Sequence, residues 1–353
     1  IYIGMGASGK RTPQMWAMYI TTFVFWIGIG HAGTLISAIL YLFRGKWRTS
    51  IYRGAEAMTV FAVMTAGLFP MIHAGRMWFA YWMLPYPNQR QLWPNFRSPL
   101  VWDVFAISTY LTISVVFFFV GLVPDIAALR DNATGTKRKI YAFLSLGWEG
   151  TDSQWRHYRR AYGLFAALAT PLVLSVHSVV SWDFAMALVP GWHSTLFAPF
   201  FVNGAIFSGF AMVLVLIIPM RKYFNWYPYI TDRHLDNMAK LTLVTSLVLT
   251  YFYACEAFTA WYSGDNFERA SLFWKATKDY AWAFWLQYFC NSLAPLVLFW
   301  KRARTNVAVL YVVSILVLIG MWFERFNIIV PSLGHGFYPY TWGIYVPTVT
   351  DTA

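Results

Sequence analysis

Long runs of apolar residues alternate with short polar connections along almost the whole chain. A membrane-spanning helix needs about 20 mostly apolar residues, and eight runs reach that length. Proline interrupts several of them, which membrane helices tolerate because neighbouring groups satisfy the freed backbone atoms. The pattern predicts an all-α polytopic membrane protein with eight transmembrane helices, at residues 14–43, 54–84, 100–123, 160–189, 198–220, 238–262, 280–300 and 306–331. The longest connection, 124–159, is polar and at most amphipathic.

The composition supports lipid as the main solvent of this chain. Among its 353 residues only 12% are charged, while 58% are apolar and 20% are aromatic. A soluble protein usually has about 25% charged residues. The net charge of +12 does not indicate nucleic acid, since DNA binding needs a basic face in water.

Basic residues are distributed unevenly between the two ends of the predicted helices. Connections after the odd-numbered runs contain 18 of the 27 Lys and Arg residues, and the other side contains 7. Because cytoplasmic connections are enriched in Lys and Arg, the N-terminal side of the first helix is predicted to face outward. We call this side, which also carries the even-numbered connections, the predicted outer side.

The two halves of the chain share a weak internal similarity. His73 in the second run corresponds to Glu256 in the sixth, and Asp183 in the fourth run corresponds to Glu324 in the eighth. Asp183 and Glu324 each stand seven residues before a proline. The similarity favours two related four-helix bundles, at residues 14–189 and 198–331, followed by a C-terminal segment at 332–353 on the predicted outer side.

Ionisable residues within the runs gather near the predicted outer side. Each charge at the bilayer centre costs at least about 2.5–3.5 kcal/mol, so each needs a partner or a function. Adjacent residues on a helix point in different directions, so Glu324 and Arg325 are expected to have separate partners. The residues in this group are His73, Arg76, Asp103, His177, Asp183, Glu256, Glu324 and Arg325.

Several readings of this group remain open. Asp103 could be a helix cap, and the others could form structural ion pairs. One haem between His73 and His177 is possible, but a second haem is not, because His31 has no partner at its depth. Quinol oxidation needs a partner for each ring oxygen and a proton-accepting carboxylate, and a proton pathway uses the same residue types. Cys255 and Cys290 are too few for an iron–sulfur cluster.

Several motifs resemble the NrfD/PsrC family of integral membrane subunits. They are IGHAG (29–33), FPMIHAGRMWF (69–79), SVVSWDF (178–184), YACEAFTAWYSG (253–264) and GMWFERFNIIVPSL (320–333). Within that family the chain is most similar to the quinol-oxidising membrane subunits of bacterial alternative complex III, with a sibling membrane subunit of the same fold as the nearest alternative. The family fold has two four-helix bundles with a flanking helix at each end, and this chain is expected to lack the flanking helices.

The resemblance implies a menaquinol site in the first bundle, near the outer face of the bacterial cytoplasmic membrane. Matching residue by residue, His73 and Asp103 are the implied catalytic residues, and Asp183 corresponds to the family's SWDF aspartate. We expect Arg76 and Asp183 to tune and support this pair, and His177 to belong to the surroundings of the bound quinol.

The resemblance also implies a set of partners and a form of the complex. The implied partners are an iron–sulfur subunit on the outer face, c-type cytochrome subunits and a second NrfD-like subunit, and the chain alone is expected to be inactive. We expect no haem, cluster or metal in this chain. The alternative is a proton-translocating sibling subunit without a quinol site.

Overall fold

The computed structural model describes residues 7–10, 14–76, 78–79, 81 and 97–352. The regular elements of these residues are helices, in agreement with the predicted all-α class. The α-helices are α1 (Met18–Thr34), α2 (Leu40–Leu42), α3 (Tyr52–His73), α4 (Pro99–Asn132), α5 (Gly135–Leu144), α6 (Asp152–Ala185), α7 (Phe197–Tyr223), α8 (Asp232–Tyr262), α9 (Asn266–Thr277), α10 (Ala281–Tyr288), α11 (Lys301–Thr305), α12 (Val307–Gly334) and α13 (Val349–Thr352). Leu35–Ile39 and Phe289–Leu293 are π-helical, and Lys46–Ser50, Ala294–Phe299 and Pro339–Thr341 are 3-10 helical.

Seven helical stretches in the described residues are long and apolar enough to cross a membrane. They are Met18–Leu42, which joins α1 and α2, and the helices α3, α4, α6, α7, α8 and α12. The surfaces of these helices that face away from the protein interior expose large apolar side chains such as Phe61 and Phe105, as expected for contact with lipid tails. This confirms the prediction of a polytopic membrane protein.

The run predicted at 280–300 is helical but not one continuous α-helix. It consists of α10, the π-helical turn Phe289–Leu293 and the 3-10 helix Ala294–Phe299. Pro295 has no backbone N–H and clashes with the carbonyl four residues earlier, which breaks a regular α-helix. That carbonyl belongs to Asn291, and it accepts a hydrogen bond of 2.6 Å from Ser246 Oγ.

The predicted second span, 54–84, was too long at its C-terminal end, because α3 stops at His73. Gly75 has φ +67°, and its N–H bonds to the carbonyl of Ile72 at 3.1 Å. A glycine in this left-handed conformation ends helices because it has no Cβ to clash with the backbone. Arg76 therefore lies beyond the helix and does not share a helical face with His73.

The connection predicted at 124–159 is mostly helical in the structure. α4 continues to Asn132, α5 is an amphipathic helix within the connection, and α6 already begins at Asp152. Thr151 and Gln154 form a reciprocal capping box at the start of α6, which satisfies N–H groups that the first helical turn leaves free. Hydropathy did not predict these helical extensions, because they consist largely of polar residues. A helix end outside the lipid needs no apolar residues.

Helix packing brings together the elements that carry the candidate residues. α1 packs against α3 and α7, α4 packs against α6, and α12 packs against α7 and α10. Gly33 allows the close approach of α1 and α3, since a Cβ there would collide with the carbonyl of Ala55; small residues often serve this purpose between membrane helices. The domain boundaries proposed from the sequence remain predictions.

The segment after α12 folds back over the start of α1. The Gln14 amide donates to the carbonyl of Gly343 at 2.8 Å, and Tyr19 donates to the carbonyl of Thr350 at 2.8 Å. The backbone N–H of Tyr345 donates to the hydroxyl of Tyr280 at 2.8 Å. The first two contacts join the beginning of the described chain to its end, and the third joins the C-terminal segment to the start of α10.

Candidate functional site

A pair of carboxyl groups joins the first turns of α4 to the last turn of α6. Asp103 and Asp183 lie within hydrogen-bonding distance of each other. Asp103 is only 6% exposed, and one oxygen of each carboxyl is buried without a hydrogen-bond partner among the described residues. Two carboxyl groups in such contact repel as anions and bond when they share one proton. The pair can therefore take up or release a proton.

The helices bring the aspartates together through the residues that surround them. Trp102 and Trp182, which directly precede the two aspartates, meet edge to face at 6.0 Å between ring centroids. Such pairs of aromatic rings stabilise helix contacts beyond their buried area. The SWDF motif thus supplies both a packing residue and a carboxyl group.

An apolar groove opens beside these tryptophans on the predicted outer side. Its volume is about 650 Å³, which lies within the range of small-molecule sites. Its walls come from α4, α6, α7, α8 and the connection before α7. The lining residues are Trp102, Trp182, Ala185, Met186, His193, Ser194, Thr195, Ala198 and Thr259.

His73, at the C-terminal end of α3, contacts Lys10 and not the aspartates. Lys10 Nζ is 3.0 Å from His73 Nδ1, and no hydrogen bond joins His73 to Asp103 among the described residues. Burial lowers the pKa of Lys10 to about 8, and the Asp351 carboxylate opposes this shift. Lys10 is one of the 7 basic residues assigned to the predicted outer side, and nothing in the sequence indicated its contact with His73.

Arg76 is near His73 in sequence but differs from it in environment. Its side chain is exposed, whereas the imidazole of His73 is partly buried. The backbone N–H of Arg76 bonds to the carbonyl of Ala74 at 2.6 Å in the turn that follows α3. The role expected for Arg76 beside a quinol remains a prediction.

His177 lies deeper in the structure than the carboxyl pair and packs against His31. It precedes Asp183 by six residues, or about 9 Å along the helix axis. The two imidazole rings are fully buried, with centroids 4.6 Å apart. His31 Nδ1 lies 2.6 Å from the carbonyl of Ile27, while both ring nitrogens of His177 are without a hydrogen-bond partner among the described residues. The expectation that His31 has no histidine partner at its depth was therefore wrong, and rings in direct contact leave no space for a haem between them.

Glu324 and Arg325 each have a separate partner, as expected, but they also contact each other, which was not expected. Arg325 Nη1 lies 3.1 Å from Glu324 Oε1, and both side chains are at most 2% exposed. The Arg325 guanidinium also stacks on the Phe201 ring. Glu324 accepts a hydrogen bond from Tyr253 as well. Adjacent residues start in different directions around the helix axis, but their long side chains can bend toward each other. The backbone positions alone therefore did not predict this contact.

A second ionic cluster lies at the opposite end of the first group of helices. Tyr162 donates to Glu56 at 2.6 Å, and Arg53 lies 3.5 Å from Glu56 and 3.0 Å from Asp125. These contacts join α3, α4 and α6. They satisfy the buried Glu56 carboxylate and give this cluster a structural role.

Among the described ranges, no group of three His, Cys, Asp or Glu side chains is arranged to hold a metal ion. Cys255 and Cys290 are unpaired. The titratable groups described at the predicted outer side include a carboxyl pair and an imidazole next to an amine.

Comparison with known proteins gives a family match and several relatives. The family model described as polysulphide reductase, NrfD matches residues 6–334. A putative membrane subunit of dimethyl sulfoxide reductase from Halobacterium salinarum is 26% identical over 336 residues, covering 92% of this chain and 71% of the relative. An Hdr-like menaquinol oxidoreductase integral membrane subunit of Archaeoglobus fulgidus is 22% identical over 340 residues, covering 93% and 73%. A selenate reductase subunit of Mesobacillus selenatarsenatis is 25% identical over 223 residues, covering 60% and 50%.

Proposed function

Because this chain belongs to the NrfD family, we propose that it is the quinol-binding membrane subunit of a multi-subunit quinol oxidoreductase. We propose further that it resembles the quinol-oxidising subunit of alternative complex III in its activity. The relatives named as membrane subunits of reductases, and the one named as a menaquinol oxidoreductase subunit, support this proposal. Menaquinol is the proposed substrate.

The contact between Asp103 and Asp183 is the observation that carries the proposal. Quinol oxidation releases two electrons and two protons, so the site needs groups that take protons from the ring oxygens. A carboxyl pair that shares one proton leaves an oxygen able to accept another. The unpartnered buried oxygens of the pair are the atoms available to a quinol hydroxyl.

His73 is the proposed partner of the other quinol oxygen. The imidazole lies at the end of α3, and Asp103 lies near the start of α4, so both belong to the same end of the membrane-crossing helices. Imidazole titrates near neutral pH and exchanges protons readily. In this proposal His73 and Asp103 each take one proton. Asp183 positions Asp103 through the contact between their carboxyl groups. Arg76, in the turn after α3, and His177, deeper in α6, are the proposed supporting residues of the site.

Electrons must leave the quinol for a centre on another subunit. The proposed acceptor is an iron–sulfur subunit on the predicted outer side, above residues 190–197 and the connection at 85–99. Most of the latter connection lies outside the described residues. A second NrfD-like subunit and c-type cytochrome subunits belong to the same proposed assembly in a bacterial cytoplasmic membrane.

A direct test measures quinol oxidation by the purified complex carrying His73→Ala or Asp103→Asn. Loss of a positioned proton acceptor is expected to lower turnover by about 10²-fold or more, while the complex still assembles. Glu149→Gln is the control, because Glu149 is exposed and lies at the other end of α6. Wild-type turnover in both site variants would contradict the proposal.

The alternative function, proton translocation without a quinol site, is favoured by a separate observation. The His31–His177 contact and the Arg325–Glu324–Tyr253 cluster are polar, fully buried and away from the carboxyl pair. Quinone analogues separate the two functions. An analogue that binds the wild-type complex but not the Asp103→Asn complex supports the quinol site, whereas an analogue that binds neither supports the alternative.

A further inference from the structure

Lys10 is held against His73 by contacts from the two ends of the chain. Its ammonium group lies 3.0 Å from His73 Nδ1 and 4.6 Å from the centroid of the Tyr19 ring. The Asp351 carboxylate is close enough to act on its charge. Lys10 thus connects the imidazole at the end of α3 with the C-terminal segment.

The C-terminal segment fixes the backbone at Lys10. Gly9 N–H donates to Asp351 Oδ2 at 2.8 Å, and Thr348 Oγ1 donates to the carbonyl of Ala7 at 3.0 Å. A Cβ on Gly9 would collide with the carbonyl of Val346. The N-terminal segment therefore fits against the C-terminal segment in one position, with its lysine directed at His73.

Asp351 supplies a stable negative charge beside this lysine. Although burial acts to raise it, the pKa of Asp351 is held below its usual range by hydrogen bonds from the backbone of Gly9 and from Thr348. The backbone N–H of Thr348 donates to Asp351 Oδ2 at 3.0 Å. The carboxylate therefore stays ionised at neutral pH and favours the charged form of Lys10.

The protonation state of Lys10 decides which nitrogen of His73 is free. An ammonium group only donates, so it requires Nδ1 of His73 to be the acceptor. The other nitrogen, Nε2, then carries hydrogen and cannot accept a proton from a quinol. When Lys10 is a neutral amine it can accept from Nδ1–H, and Nε2 becomes the free acceptor.

We propose that Lys10 is a positioning residue that sets the tautomer of His73 and receives the proton that His73 takes from quinol. This inference rests on the proposed function. The quinol O–H bond breaks as the Nε2–H bond forms, and the Nδ1–H bond breaks as a third N–H bond forms on Lys10 Nζ. The electrons go to the iron–sulfur partner, and Lys10 then releases its proton to water.

The environment of Lys10 suits this exchange. Burial lowers its pKa to about 8, with Asp351 acting in the opposite direction. Among the described residues, the groups that face it are His73, Asp351 and the ring of Tyr19, and Asp351 in turn interacts with Tyr345. Below a pH of about 8 most molecules hold the ammonium form, which keeps Nε2 protonated. Quinol oxidation should therefore rise with pH through an inflection near the pKa of Lys10.

The test compares Lys10→Met and Lys10→Arg in the assembled complex, with a soluble naphthoquinol as donor and an artificial electron acceptor. Lys10→Met is expected to lose the inflection near the pKa of Lys10 and to fall about tenfold or more on the alkaline side of it. Arginine keeps the positive charge but does not give up a proton in this range. Lys10→Arg should therefore stay slow at every pH. Lys278→Met is the control, because Lys278 is exposed beyond α9.

The outcomes separate this inference from the proposed function. Wild-type turnover and a retained inflection in Lys10→Arg, or a retained inflection in Lys10→Met, would overturn the role of Lys10. If His73→Ala and Asp103→Asn are inactive at the same time, the quinol site stands and only the inference fails. Gly9→Ala, which displaces Lys10 without changing charge, is expected to show the same loss of inflection as Lys10→Met.

Discussion

The carboxyl groups of Asp103 and Asp183 lie within hydrogen-bonding distance of each other, although they come from different helices. Two carboxyl groups in this arrangement titrate as one unit, so the proton belongs to the pair and not to either residue. The pair sits next to an apolar groove, at one end of the helices. Such a pair is able to hold a proton at this end of the helices.

The first prediction concerns the proton shared by this pair. Infrared spectroscopy at neutral pH should detect a protonated carboxyl C=O band in the wild type. Asp103→Asn and Asp183→Asn should each lose the band, because the remaining carboxylate accepts from the asparagine amide and ionises. Asp125→Asn is the control, since Asp125 is an ion-pair partner of Arg53. A band that persists in both site variants would show that the pair does not share a proton.

The second prediction concerns the buried ion pair of α12. Glu324→Leu leaves the Arg325 guanidinium buried without its carboxylate, so the free energy of unfolding should fall by about 3–5 kcal/mol. Replacing both, as Glu324→Leu with Arg325→Met, should cost clearly less. Denaturation in detergent micelles measures both values. Lys240→Ala, which breaks a pair with Asp236 whose lysine is largely exposed, should change stability by less than about 1 kcal/mol.

The third prediction concerns the glycine that ends α3. Gly75 has φ +67°, so Gly75→Ala should lower the free energy of unfolding by about 1 kcal/mol or more. Gly67 lies inside the same helix with open space where a Cβ would be. Gly67→Ala should therefore raise stability by about 0.5–1 kcal/mol. Equal effects of the two substitutions would contradict the role of Gly75 in ending the helix.

The fourth prediction concerns Lys275, whose ammonium donates to Ser332 Oγ at 2.8 Å. Burial lowers the pKa of Lys275, while Glu256 opposes the shift. Between this lowered pKa and the ordinary value the unfolded chain holds more protons, so the free energy of unfolding should rise with pH. Lys275→Met should abolish that alkaline rise. Lys278→Met should keep it, and a rise that survives in Lys275→Met would place its origin elsewhere.

Much of the fold could be predicted from the sequence, because a helix that crosses lipid needs about 20 mostly apolar residues. Apolar runs of sufficient length located the long helices, but they did not show that the run at 280–300 is broken near Pro295. The ends of helices depend on local backbone chemistry: Gly75 stops α3 inside an apolar run, and Thr151 starts α6 inside a polar one. Hydropathy does not detect these signals.

The candidate site was predicted as a set of residue types at one depth, not as a set of contacts. The approach of Asp103 to Asp183 depends on how α4 packs on α6. The contact between Lys10 and His73 depends on a C-terminal segment that folds over the N-terminal one. Such long-range relations have no local sequence signal, which is why Lys10 was missed.

The most direct test of the proposed quinol site is a cryo-EM structure of the assembled complex with a bound quinone analogue. We expect ring-shaped density between His73 and Asp103, with one ring oxygen within hydrogen-bonding distance of the imidazole and the other within that distance of the Asp103–Asp183 pair. Analogue density at another location, with both residues free of ligand in a complex that oxidises quinol, would contradict it.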